Sequence, residues 1–254
     1  MAGMKNLSCL VVTAVLLLAF ACAGCHRTDP DALWKIVHER CVPDQREHND
    51  PAPCVQVELG EGEERGYAVL KDRNGPYQYL LIPTGRIPGI ESPGLAAASA
   101  PRYFAAAWRA RSYVEKGAGH PLPWDALSLA INSEYGRSQE QLHIHIDCLK
   151  AEVRMTLHAH LGQIGGQWAP LDVPLAGHRY RAMRLRPDQF EQINPFELLG
   201  RSLTTGEDPG RHTLVAAGVN FEDGSPGFVL LDDRAGLWPP DRGHGEDLQG
   251  HRCS

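Results

Sequence analysis

The sequence has no basic stripe, no block of like charge and no repeat of fixed period. With 25 Lys and Arg against 31 Asp and Glu, a formal charge of −6 and a pI near 6.0, it lacks the electrostatic footprint of a nucleic-acid binder. The missing period leaves no sign of a repeat architecture. Charge is scarcest at the start: Lys5 is the only Asp, Glu, Lys or Arg before residue 26. What remains is 254 residues, 43% of them hydrophobic, enough to bury a sizeable core in one or two domains.

The uncharged start is itself a signal. A positive end, an apolar run from Leu7 to Gly24 and then small residues read as a secretory signal or anchor, residues 1–25. Three fates are open. Ala21-Cys22-Ala23 fits a cleavage site. Ala23-Gly24-Cys25 resembles the end of a lipoprotein box, with Cys22 where Leu or Val is usual. An uncleaved helix is the third, although 18 residues is near the short limit for spanning. Membrane attachment is the preferred expectation, and all three fates place the rest of the chain outside the cytoplasm.

Cysteine usage agrees. Setting aside Cys9, Cys22 and Cys25 leaves Cys41, Cys54, Cys148 and Cys253, an even number suited to two disulfides in an exported domain. Of three connectivities, Cys41–Cys54 is the easy local pair across a polar, Pro-rich loop, worth about 3 kcal/mol on a loop-entropy basis. Cys148–Cys253 would then tie the C-terminus down. Four free thiols are the alternative.

From Gln139 to Cys148, Leu142, Ile144 and Ile146 alternate with Gln141, His143, His145 and Asp147. This is the two-residue period of a half-buried strand. It puts His143 and His145 on one face, about 6.5–7 Å apart along the chain. Further strands are predicted over 67–72, 79–83, 127–132, 178–185, 213–219 and 227–231. Helices are predicted from Thr28 to about Arg40 and over 102–115, 150–163 and 187–199. Strands outnumber helices and are mostly hairpin-linked, so the fold class is α+β with an antiparallel sheet. Residues 26–170 form the catalytic core and 171–254 a C-terminal α+β extension. That extension either completes a pseudo-symmetric second half or packs against a twin subunit, so a homodimer is one expectation.

Two imidazoles on a rigid strand can bind a metal or act on a phosphate. His-x-His-x-Asp is similar to the start of a metallo-β-lactamase ligand run, but Cys148 stands where that run has another His. No spacing among the remaining histidines supplies a third ligand, so no metal is expected. The phosphate reading gains from Gly136-Arg137-Ser138 just before the strand and from Asn132 at the end of the preceding one.

Here the sequence resembles the histidine-triad superfamily, whose motif alternates His with apolar residues after a Gly-x-Ser turn. Gln141 replaces the first histidine, while His143 and His145 are kept. Four segments narrow the resemblance to the bacterial CDP-diacylglycerol pyrophosphatases: 68–76, 78–84, 128–133 and 143–146. So does the order of apolar start, Cys-x12-Cys loop, and later Cys after the motif and near the C-terminus. The resemblance implies a histidine-triad-like sheet with packed helices, no cofactor, and a CDP-diacylglycerol substrate split to CMP and phosphatidate in phospholipid metabolism. It makes His143 the nucleophile, forming a nucleotidyl-histidine, and His145 a donor to phosphoryl oxygens. Ser138 would assist the leaving oxygen, while Asn132 and Gln141 contact substrate or support the site. The other ring nitrogen of His143 should donate to a backbone carbonyl. Localisation at the inner membrane, facing the periplasm, follows from the same resemblance. Asp147 shares the histidine face, where it would repel phosphate, and is expected to turn away and cap the next helix. Arg137 is an exposed turn residue or a phosphate contact. The rivals are another histidine-triad nucleotide hydrolase or transferase, a non-catalytic nucleotide-lipid binder, and a zinc hydrolase.

Overall fold

A computed structural model describes residues 29–238 and 240–253. The apolar start with its three processing fates, and Thr28, lie outside the described residues. The fold is α+β. Nine strands form one fully antiparallel sheet in the order β1-β2-β3-β5-β4-β8-β9-β7-β6. In chain order these are Gln56–Glu58, Tyr67–Lys71, Tyr79–Pro83, Leu127–Ile131, Ile144–Cys148, Ala169–Pro170, Arg181–Leu185, His212–Asn220 and Pro226–Arg234. The region after residue 170 is continuous with this sheet. It enters by β4–β8 pairing, with Ser128 opposite Ala217 and Ile131 opposite Leu214. Strands Gly236–Leu237 (β10) and Pro240–Asp241 (β11) make a separate small hairpin.

The helices depart from expectation at identifiable points. The first, Ala32–Ile36 (α1), runs on through a π-turn at Val37–Cys41 into Val42–His48 (α2) and stops at Asn49, which is left-handed at φ 54°. Pro43 falls at the first turn of the new segment, where a missing N–H is harmless. The Cys41–Cys54 bridge therefore starts within a helix rather than a loop. The segment predicted as one helix over 102–115 is two, Tyr103–Ala110 (α3) and Ser112–Ala118 (α4). Ala151–His160 (α5) follows β5. Residues 187–199 also divide, into Pro187–Gln192 (α6) and Pro195–Ser202 (α7). Pro195 keeps Asn194 extended, and the Asn194 side chain then accepts from Phe196 N–H to cap the second helix.

Packing explains where a site can exist. One face of the sheet carries the main core, with Leu81, Leu129, Ile131, Ile144 and Ile146 against Phe104, Ala107 and Trp108 of α3. The opposite face is covered in two separate patches. The N-terminal helical segment, through Val37, Cys41 and Val42, covers Ala68, Leu80 and Ile82. Val153 and Leu157 of α5 pack with Val215, Ala217, Val229 and Leu231. Strand β5 lies between these patches, and its polar face opens on the gap.

Candidate active site

Strand β5 is hydrogen-bonded on both sides, with His145 opposite Leu80 of β3 and Ala130 of β4. Ile144, Ile146 and Cys148 point into the main core, so by alternation His143, His145 and Asp147 take the other face. The two rings lie 4.9 Å apart between centroids, tilted by 63°. Both residues are buried, a condition a central strand can impose and an edge strand cannot.

The two imidazoles have opposite surroundings. Nδ1 of His143 lies 2.7 Å from the carbonyl oxygen of Gln141, so Nδ1–H donates there. The lone pair is then on Nε2, for which the described residues provide no hydrogen bond. Burial, aided by the neighbouring His145, lowers the His143 pKa to about 4, so the ring is uncharged at neutral pH. His145 is held instead by a carboxylate. Its Nδ1 lies 2.9 Å from Glu246 Oε2 and 2.7 Å from the Gln78 amide. One proton cannot satisfy an acceptor and a donor alike. The charged Glu246 carboxylate is the stronger acceptor, so Nδ1–H donates to it, and Gln78 packs against the same edge of the ring. Nε2 of His145 is left buried without a partner. The Glu246 carboxyl is held well below the usual carboxylate range: burial would raise it, and His145 and His244 outweigh that.

Glu246 comes from a C-terminal strap, residues 241–253, that sequence reasoning treated as a polar tail pinned only by Cys253. The disulfides are Cys41–Cys54 and Cys148–Cys253. The second fastens the strap to the end of β5. Along it, His244 Nε2 meets Glu246 Oε1 at 3.1 Å, and Gln249 Nε2 donates to Ser128 and to the His145 carbonyl. Gly136 is where the strap crosses the Gly-x-Ser turn: a Cβ there would sit 3.1 Å from the carbonyl oxygens of Arg242 and Gly243. Ser133 secures the crossing, its hydroxyl donating to the Arg242 carbonyl and accepting from the Tyr135 and Gly136 N–H groups.

A cleft of about 410 Å³ brings most of the expected residues together. His143, His145, Ser138, Asn132, His244 and Glu246 line one part; Leu33, Ile36, Pro53, Leu70 and Leu80 make an apolar wall. Arg40, Lys71 and Arg73 also line it, and among the described residues no carboxylate lies within ion-pair distance of any of the three. Asn132 faces the cleft and also accepts from Glu246 N–H at 3.3 Å, which positions the strap.

Three residues are placed otherwise than expected. The Gln141 side chain does not line the cleft; it is fully buried, donating to the carbonyls of Pro83 and Gly85 and accepting from Ile87 N–H. Its contribution to the site is its own carbonyl beneath His143. Asp147 does not cap α5, whose N-cap is Lys150. It accepts from Cys148 N–H and pairs with His251 Nδ1 at 2.6 Å, because the pinned strap brings His251 over it. Burial still pushes its carboxyl up, against those two partners. Arg137 is neither exposed nor free: its guanidinium is 5% exposed, forked onto Glu91 and bonded to Glu140.

Among the described residues, two groups of His, Cys, Asp or Glu bring three ligand atoms within 4.8 Å of one another, and neither contains His143 or His145. One includes Cys148 and Cys253, which are disulfide-bonded; the other is His178, Asp233 and Asp241.

The chain is 42% identical over 247 residues to a CDP-diacylglycerol pyrophosphatase of Yersinia pestis, covering 96% of this chain and 93% of that one. Among solved structures, a DUF4931 family protein from Bacillus cereus aligns with a TM-score of 0.44 and 12% identity, over 71% of this chain and 84% of that one. That likeness is too distant to bear on the site. The family profile described as CDP-diacylglycerol pyrophosphatase matches residues 28–254, and the chain belongs to that family.

Proposed function

We propose that this enzyme cleaves the pyrophosphate of CDP-diacylglycerol by covalent catalysis at His143. The observation that carries the reading is the Nδ1–H bond from His143 to the Gln141 carbonyl, which leaves an uncharged Nε2 lone pair at the cleft. That nitrogen attacks the nucleotide-side phosphorus. An N–P bond forms, the bridging P–O bond breaks, and phosphatidate leaves with the electron pair. The imidazole becomes cationic while the Gln141 carbonyl keeps its Nδ1 proton. Water then attacks the same phosphorus and gives up a proton to bulk solvent, the N–P electrons return to Nε2, and CMP is released.

Such a reaction depends mainly on positioning and on stabilising charge at the non-bridging oxygens. His145 supplies a donor there when its free Nε2 carries a proton, with Glu246 fixing the ring through Nδ1. Arg40 and Arg73 offer positive charge to a pyrophosphate, Lys71 is held nearby by the carbonyls of Asp72 and Gly75, and Ser138 offers a hydroxyl. The apolar wall of Leu33, Ile36, Leu70 and Leu80 suits the glyceride end of the substrate. A relation to the histidine-triad superfamily belongs to the same proposal and is supported by the alternation around His143 and His145.

A site at the membrane surface, outside the cytoplasm, fits two further facts. Two disulfides favour an oxidising compartment. Leu237 and Trp238, at the β10–β11 hairpin, are 89% and 92% exposed, an apolar and aromatic pair suited to a lipid interface. No helix among the described residues is long and apolar enough to cross a membrane. The test is selectivity: kcat/KM for CDP-diacylglycerol in mixed micelles against water-soluble CDP esters. A preference of at least tenfold for the lipid supports the proposal, equal rates point to a soluble-nucleotide hydrolase, and retention without CMP release points to a binding protein.

A further inference from the structure

Outside the cleft, four ionisable side chains converge where the Leu175–His178 turn, β9 and the strap meet. His178 Nδ1 lies 2.7 Å from Asp241 Oδ2 and 3.4 Å from Asp233 Oδ2, while its Nε2 lies 3.3 Å from Asp247 Oδ2. One imidazole thus faces three carboxylates, and among the described residues no Lys or Arg is within ion-pair distance of any of them. Asp233 is 7% exposed and its Oδ2 has no hydrogen-bond partner, although its Oδ1 accepts from Arg234 N–H. A buried carboxylate oxygen turned toward a second carboxylate and an imidazole needs a proton or a cation between them. The Tyr180 hydroxyl, buried beside His178, is also unpartnered.

We propose that His178, Asp233 and Asp241 bind a divalent cation, with Asp247 on the far side of the ring accepting from the Nε2–H of His178 and orienting it. One nitrogen and two carboxylates suit zinc or manganese better than an all-oxygen cation such as calcium. Binding moves the Nδ1 proton of His178 to solvent and replaces its hydrogen bond to Asp241 by a shared metal ligand. The ion would join the Leu175–His178 turn, the end of β9 and the start of the strap. Asp241 leads directly into Gly243, whose carbonyl accepts from Ser133 N–H at 2.8 Å, and from there to Glu246. The site is therefore structural. It holds the strap that carries Glu246, takes no part in bond cleavage, and does not rest on the covalent mechanism.

Zinc chloride added to chelator-treated, dialysed full-length protein tests this directly. Burial and the neighbouring Asp241 push the Asp233 carboxyl up, so the titration belongs at pH 8, where protons compete less. The melting temperature of the parent should rise by about 5–10 °C at a hundred times the dissociation constant. One equivalent should remain after dialysis. His143→Ala and His145→Ala should keep the shift, while Asp241→Asn should lose it. Asp233→Asn, which removes a buried charge and so spares folding, should lose it too. No shift in the parent with zinc or manganese, or a shift that survives in Asp233→Asn and vanishes in His145→Ala, overturns the assignment.

Discussion

The site is built from two unlike regions, strand β5 and the strap from Asp241 to Cys253. Strand β5 owes its geometry to a regular ladder: apolar residues alternate into the main core, and the histidines can point nowhere but into the gap. The strap has almost no regular structure, only the short β11 and a 3-10 turn at Gly245–Leu248. It is held by side chains and a disulfide, through Glu246 to His145, His251 to Asp147 and Cys253 to Cys148. On the proposed mechanism the strand supplies the reacting groups, and the strap orients one of them, His145. His143 shows the difference from its neighbour most clearly. It is tuned by burial and by a carbonyl of its own strand, whereas His145 depends on a carboxylate 101 residues away.

Experiments can separate the two contributions. His143→Ala removes the only group assigned to form the new bond, and turnover should fall to background; CMP release near the parent rate would remove the covalent step. Cys253→Ser unfastens the strap from β5. With the partners separated by 105 positions in sequence, unfolding stability should drop by about 4–5 kcal/mol in denaturant titrations run without reductant. A loss below about 1 kcal/mol would mean that the strap's other contacts hold it unaided.

Smaller effects sharpen the contrast. His145→Ala should lower kcat by about 10²–10³, the size of losing one charge-stabilising donor. Glu246→Gln should cost about tenfold to a hundredfold, as for removal of a group that orients a reacting residue. Most of that loss should be in kcat, with an altered pH profile, and Glu246→Asp should recover part of it. An unchanged profile would reduce Glu246 to packing. The smallest effect is one of position on the pH axis. Because the His143 pKa is lowered to about 4, its neutral form persists as pH falls from 7 toward 5 and is lost only below that. Single-turnover rates should keep their His143-dependent limb near pH 4; a limb at about 6.5, the unperturbed value, would show that burial does not set its basicity.

Strand β5 was legible because period-2 alternation is a local signal, and the α+β class was legible from hairpin-linked strands. The Gly-x-Ser turn and Asn132 were found through their proximity to that strand in sequence. Gln141 is expected at the site because it stands where the resembled motif has its first histidine, with the same parity as His143. Parity fixes a face but not a partner, and the backbone carbonyls of Pro83 and Gly85 take its amide. Glu246 and His244 had no comparable signal: Gly245-Glu246-Asp247 looks like any solvated acidic turn. Only Cys253 hinted that this segment returns to the core. Asp147 went astray for the same reason, since its partner His251 lies on that returning segment. The boundary between α6 and α7 was legible in principle, because Pro195 forbids the preceding residue a helical conformation.

The central claim is that an uncharged nitrogen of His143 becomes covalently bonded to phosphorus. Intact-protein mass after millisecond mixing with CDP-diacylglycerol, quenched in alkali because an N–P bond is acid-labile, tests it most directly. A cytidylyl adduct that appears within the first turnover, decays as CMP accumulates and is absent from His143→Ala is the predicted result. Full turnover with no adduct at any time point, or an adduct that persists when His143 is replaced, would contradict it.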